Sequence, residues 1–99
     1  AAINCLASST SIVRLTGTTA TAINGISPGV SGQILIVYTD GNIGTSLTIA
    51  NNNASGCANG KIITNTAANV VSTTASSTAA FVFVYNAPSL RWHMIASTP

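Results

Sequence analysis

The sequence predicts an all-β domain, and three observations support that fold class. Thr, Val and Ile, whose branched side chains suit strands, are plentiful, whereas Glu is missing and Lys occurs once. The apolar segments are short and are separated by turn residues. Only four of the 99 residues carry a full charge. We therefore expect residues 1–99 to form a single domain, an antiparallel, jelly-roll-like β-sandwich of about eight strands.

The first half of the chain predicts four strands, at residues 11–15, 21–26, 33–39 and 47–49, and the turn dipeptide Asn24-Gly25 interrupts the second. The third is the strongest, because residues 34–38 are apolar without interruption. Such a run is typical of a strand buried on both faces, with the core on one side and a neighbouring sheet or subunit on the other. The turn residues Asp40, Gly41 and Asn42 end this strand.

The second half predicts four more strands, at residues 61–64, 69–72, 80–85 and 90–96. The strand at 80–85 is apolar throughout and contains Phe81 and Phe83. In the last strand, alternation places Trp92 and Met94 on one face and His93 on the other.

The low charge excludes several classes of function. Arg14, Lys61 and Arg91 are spread along the sequence, and a net charge of +2 is too small for binding nucleic acid, which requires clustered cations. The longest apolar stretch, residues 79–85, is far shorter than the roughly 18 residues of a membrane-spanning helix. The mean hydropathy is +0.49 and charge repulsion is weak, so either a polar surface of Thr, Ser and Asn keeps the protein apart from its neighbours or much of the surface is buried in an assembly. The second is favoured, because exposed apolar strands aggregate unless they are paired.

The two cysteines, Cys5 and Cys57, favour a single disulfide within the chain. It would close a loop of about 50 residues and indicates an oxidising compartment. Two reduced thiols or a bond between chains are the alternatives. Their spacing matches no zinc motif, and one histidine cannot complete a metal site.

The residues also argue against an enzyme, and no catalytic site, metal site or cofactor is predicted. His93 could act as a base or a pH switch, but the only carboxylate side chain, Asp40, lies in a predicted turn. One carboxylate is too few for the usual glycosidase chemistry. Asp40 and Asn42 could bind Ca²⁺ only weakly, and a side-chain-stabilised turn is the simpler interpretation.

Two sets of residues could carry or bind carbohydrate. Asn53 begins the sequence Asn-Ala-Ser, an acceptor motif for N-glycosylation. Three aromatic residues could stack on a sugar: Trp92, Tyr85 and Tyr38. The alternative for Trp92 is a place in the core or in a subunit interface.

The order of several short motifs carries a family resemblance over nearly the whole chain. They are Leu15-Thr16-Gly17, Ile23-Asn24-Gly25-Ile26-Ser27-Pro28-Gly29, Gly32-Gln33-Ile34-Leu35-Ile36, Leu47-Thr48-Ile49-Ala50-Asn51-Asn52, Lys61-Ile62, Phe83-Val84-Tyr85-Asn86 and Arg91-Trp92-His93-Met94-Ile95. This pattern resembles small β-modules of phage tail-fibre and virion-surface proteins. The resemblance implies a β-rich, non-enzymatic module that is usually trimeric or part of a larger assembly. The cysteine pair and the scarcity of charge depart from it.

These observations predict a structural module that self-assembles, as a trimer or a filament, on a virion surface, in a tail fibre or in another extracellular filament. The residues expected to form the core and the subunit contacts are Ile34, Ile36, Val37, Phe81 and Phe83. The ends of the chain, residues 1–6 and 95–99, are expected to pair with a neighbouring copy by strand addition. The rival hypothesis is a module that binds a cell-surface glycan or receptor.

Overall fold

A computed structural model of the protein describes residues 2–15, 21–39, 47–72 and 79–98. These residues contain nine strands and no helix. The strands are β1 (Ala2–Ile3), β2 (Ile12–Leu15), β3 (Thr21–Ile23), β4 (Ile34–Thr39), β5 (Leu47–Ile49), β6 (Lys61–Ile63), β7 (Val70–Ser72), β8 (Ala80–Asn86) and β9 (Arg91–Thr98). The all-β prediction is confirmed for the described residues, and each of the eight predicted strands has a counterpart. The turn predicted at residues 40–42 lies outside the described residues.

The strands form two sheets. Four strands make the first sheet in the order β1-β3-β5-β7, and five make the second in the order β2-β4-β8-β9-β6. Up to β8, each successive strand belongs to the other sheet, so the chain alternates between the two. Among the strands of the described residues, only β8 and β9 both follow each other in sequence and pair, and a turn at residues 87–90 joins them.

Both sheets of the described strands are mixed, so the prediction that the strands pair antiparallel was wrong. Four pairings are parallel, namely β1–β3, β2–β4, β3–β5 and β6–β9. A direct hairpin gives an antiparallel pair, and a parallel pair requires a crossover connection. A crossover through the other sheet can also give an antiparallel pair, as between β5 and β7. The turn predicted at Asn24-Gly25 is absent. The chain continues through these residues, with Gly25 bridged to Lys61 and Ile26 bridged to Leu6.

The N-terminal segment is held inside its own chain. Ala2 and Ile3 pair with β3, and the amide N–H of Leu6 donates to the carbonyl of Gly25 at 2.9 Å. At Gly25 a side chain has no room, because a Cβ would lie 2.7 Å from the carbonyl oxygen of Asn4. Residues 96–98 are likewise paired with β8. Both ends thus pair within the chain over the described residues, and the expected strand addition to a neighbouring copy stays a prediction.

One buried cluster draws on both sheets. The first sheet contributes Ile23, Leu47 and Ile49, and the second contributes most of the remainder. The largest fully buried side chains in the described part are Trp92, Phe81 and Phe83. Trp92 packs edge-on against Tyr85 with ring centroids 5.1 Å apart, and its Nε1–H donates to the carbonyl of Ser27 at 3.0 Å. The indole thus links β9 to the segment that follows β3.

Candidate functional site

The surface that stands out is the outer face of the five-stranded sheet. Several aliphatic side chains of this sheet point away from the core, and we call six of them the aliphatic face: Ile12, Ile34, Ile36, Val82, Val84 and Ile95. Register places Ile12, Ile36 and Val82 side by side across three strands, and Ile34 beside Val84. Ile12, Ile34 and Ile95 are more than half exposed, at 55%, 53% and 59%.

The unbroken apolar run in β4 explains this face. Along β4, Leu35, Val37 and Thr39 are fully buried, whereas Ile34 is exposed and Ile36 is half-buried. The expected core contact on one side is thus present. The neighbour expected on the other side stays a prediction.

The chemistry of the aliphatic face favours contact with another surface. All six side chains are branched at Cβ, so each has few rotamers to lose when it is covered. Exposed apolar residues scattered singly are ordinary, but a contiguous apolar patch is typical of an interaction site. Ile95 lies at a bulge, between the pairs Phe83–Met94 and Val82–Ala96, and is exposed beside Val84 in the lining of one groove.

Cations flank the aliphatic face. Arg14 lies at one end, as the cross-strand neighbour of Tyr38. Lys61 and Arg91 are direct partners in the β6–β9 pairing at the other end. The guanidinium of Arg91 is held by three acceptors: Nε donates to Oδ1 of Asn52 at 3.0 Å, and Nη1 contacts the carbonyls of Ser89 and Leu90 at 3.3 and 3.2 Å.

An open groove of about 450 Å³ adjoins this cationic end at Arg91, because Asn86 in its lining is the cross-strand partner of Arg91. Its lining combines the apolar side chains of Val84, Pro88 and Ile95 with polar groups of Asn86 and His93. His93 Nε2 lies 3.0 Å from the hydroxyl of Ser89. The sequence patterns did not predict this contact of His93 with Ser89.

Ser89 and His93 supply a hydroxyl and an imidazole, two of the groups that a nucleophilic catalytic site needs. The described residues do not supply the orienting carboxylate or the oxyanion donors. No carboxylate there orients the imidazole, and the Ser89 hydroxyl also contacts the carbonyl of Asn86 at 3.2 Å. The amide N–H groups of Ser89 and Leu90 are bonded to Asn86 and Ala87, so they are not available to stabilise an oxyanion. The pair therefore fits a role in fixing the turn. Nor does the described part of the chain group three residues of the kinds that hold a metal ion.

The predicted glycan-stacking residues are mostly inaccessible. Trp92 is completely buried and Tyr85 is 3% exposed, and the Tyr85 hydroxyl donates to the carbonyl of Asn59 at 2.8 Å. A sugar cannot stack on a ring whose two faces are covered by the core, so this hypothesis was wrong for both. Tyr38 is half-buried on the outer face, between Arg14 and Ala80.

The other predicted residues divide between core and surface. Val37, Phe81 and Phe83 are fully buried in the core, whereas Ile34 and Ile36 belong to the aliphatic face. The sequence predicts one set of five residues for the core and the subunit contacts. Alternation along β4 and β8 divides this set between the core and the outer face.

The loop that carries Cys57 also carries the glycosylation motif. Cys5 and Cys57 form a disulfide, as the sequence predicted. Asn53 is half-buried, and its side-chain Oδ1 accepts a hydrogen bond from the amide of Ser55 at 2.7 Å. Its glycosylation stays a prediction. Asp40, the candidate Ca²⁺ ligand, lies outside the described residues.

A second groove, of about 530 Å³, lies where the segment after β1 meets the segment after β3. Ser8, Ser27 and Gln33 in its lining are already hydrogen-bonded. The Ser8 and Ser27 hydroxyls are 2.7 Å apart, and Gln33 donates to the carbonyl of Ser8 and accepts from the amide of Val30. These bonds explain the groove as a structural junction.

The described residues contain no helix that could cross a membrane. No family model, curated protein or solved structure matches this chain.

Proposed function

We propose that this protein is a non-enzymatic structural module that self-assembles, as a trimer or a filament, on a virion surface, in a tail fibre or in an extracellular filament. The observation that carries the proposal is the aliphatic face. Its aliphatic side chains lie side by side across the strands and carry no charge, and these properties suit burial against a second copy.

The finer architecture belongs to the same proposal. We infer that the two sheets pack face to face as a sandwich, because one cluster of buried residues draws on both of them. In that arrangement the aliphatic face points away from the partner sheet. The aliphatic face would then be covered only by another molecule.

The strand edges favour assembly through a face over assembly through an edge. The outer strands of the first sheet, β1 and β7, have only two and three residues. In the second sheet, the edge strand β2 carries Arg14, and β9 is bulged at Ile95 where β6 no longer covers it. Short strands, charges and bulges are the features that discourage edge-to-edge pairing.

The disulfide supports the location. Disulfides persist in oxidising environments such as the outside of cells and virions, and are rare in the cytosol. The resemblance to tail-fibre and virion-surface modules agrees with this location and with assembly. A glycan-binding function lacks comparable support, since two of its three proposed stacking residues are in the core.

Self-assembly is tested with a charge on the aliphatic face. We expect the Ile34→Lys substitution to dissociate the assembly into monomers, because the new ammonium would be buried without a partner in the contact between copies. Ile34 is 53% exposed, so folding is expected to change by less than about 1 kcal/mol. Sedimentation velocity over a range of concentrations measures the oligomeric state.

The matched control is Val71→Lys. Val71 is 62% exposed and lies in a strand of the other sheet, so the substitution changes charge and hydropathy without touching the aliphatic face. This variant is expected to assemble as the unsubstituted protein does. A protein that is monomeric at every concentration, or a Val71→Lys variant that dissociates while Ile34→Lys does not, would contradict the proposal.

A further inference from the structure

The structure places two of the four charged side chains of this protein next to each other. Lys61 and Arg91 are direct partners across the parallel strands β6 and β9, and both are half-buried. Like charges in directly opposite positions destabilise a sheet, and half-buried charges are less well screened by water than exposed ones. No carboxylate in the described residues offsets this repulsion.

The donors of this pair are only partly used. Nε and Nη1 of Arg91 contact Asn52, Ser89 and Leu90, while Nη2 has no partner among the described residues. Within the same part of the chain, the ammonium of Lys61 contacts no acceptor either. A fixed guanidinium beside a free ammonium is the arrangement that binds oxyanions, through charge-assisted hydrogen bonds.

The backbone holding Arg91 is strained in a way that favours a function. Leu90 has a positive φ of 55°, a conformation that costs a bulky residue about 1–2 kcal/mol. Glycine is usual at this place after a turn, and here the turn is closed by a bond from the amide of Leu90 to the carbonyl of Ala87. The strained turn presents the carbonyls of Ser89 and Leu90 to the guanidinium. Strain of this kind is concentrated at functional sites.

We propose that Lys61 and Arg91 form a binding site for an oxyanion, a carboxylate or a sulfate or phosphate ester, carried on a small uncharged body. The oxyanion contacts the ammonium of Lys61 and Nη2 of Arg91. The body lies in the adjoining groove, whose lining of Val84, Pro88, Ile95, Asn86 and His93 offers both apolar contact and hydrogen bonds. The site does not rest on self-assembly, but its groove shares Val84 and Ile95 with the aliphatic face. A copy that covered this face would therefore compete with the ligand for the groove.

Isothermal titration calorimetry on the full chain tests the site, with sulfate, phosphate and glucuronate as probes at constant ionic strength. Each is expected to bind saturably, and glucuronate more tightly than either inorganic ion, because its ring can use the groove. Glucose, which lacks the charge, is expected to show no saturable heat. Equal affinity for sulfate and glucuronate would overturn the assignment of the groove. Absence of saturable binding by all three oxyanions would overturn the site.

The matched variants are Lys61→Met and Arg14→Met. Both remove one cation from the outer face and keep an apolar stem, but only Lys61 belongs to the pair. Lys61→Met is expected to weaken sulfate binding about tenfold or more, and Arg14→Met to leave it nearly unchanged. An equal loss in the two variants would mean general charge attraction and would overturn the proposal. The Arg91→Lys variant keeps the charge but loses the planar set of guanidinium N–H donors, and it is expected to bind sulfate more weakly than the unsubstituted protein.

Discussion

Trp92→Ala is expected to lower the free energy of unfolding by about 3–5 kcal/mol, enough to leave the domain barely folded. Trp92 is completely buried, so its removal opens a large cavity between β9 and the core. The variant also loses the edge-on contact with Tyr85 and leaves the carbonyl of Ser27 without its indole donor. Urea denaturation followed by circular dichroism measures the change.

Two further variants separate the causes. Trp92→Phe keeps an aromatic ring but removes the N–H donor, and we expect it to cost less than Trp92→Ala. Tyr38→Ala removes a half-buried ring from the outer face, and its cost is expected to be smaller still. If Trp92→Ala were as stable as the unsubstituted protein, Trp92 would not be a core residue, and the sugar-stacking hypothesis would return.

The strands were predictable because their signal is local. Branched and aromatic residues between turn residues mark each strand of three or more residues in the described part, as in β4 and β8. The strand not predicted, β1, has two residues and is defined by its partner β3. Such a strand leaves no pattern in its own sequence.

The mixed pairing was not predictable from the same residues. Turn residues after a strand indicate that the chain changes direction, but they do not say whether it enters the same sheet or the other one. After β3, Asn24-Gly25 was expected to form a turn, and instead the chain pairs with residues on both sides through Gly25 and Ile26. Gly25 is needed there for close approach to Asn4 and Cys57.

The candidate site was predictable in part. The run from Ile34 to Tyr38 indicated two apolar surfaces, and the aliphatic face is the second of them. Nothing local distinguishes Ile34 from Leu35, because the face that each occupies depends on the register with β8. The pairing of Lys61 with Arg91 joins residues 30 positions apart in sequence through a parallel contact, which turn and strand patterns do not reveal.

Replacing both cysteines, as Cys5→Ala with Cys57→Ala, is expected to cost about 4 kcal/mol of unfolding free energy by the loop-entropy model. The two residues are 52 apart in sequence, so the disulfide closes a loop of about half the chain. For a domain whose total stability is roughly 5–15 kcal/mol, such a loss is a large fraction. Urea denaturation of the double variant beside the oxidised protein measures it, and a difference below about 1 kcal/mol would contradict the prediction.

Hydrogen exchange in the folded double variant shows where the disulfide acts. The amides of Leu6, Asn24 and Cys57 donate across the junction that the bond closes, to Gly25, Ile3 and Asn4. If the disulfide acts only on the unfolded chain, protection at these amides is expected to fall in step with that of the core amides of β4. If it also holds the two-residue strand β1 in place, these three amides lose protection first. We expect the second result, because two residues of parallel pairing are too few to hold the segment alone.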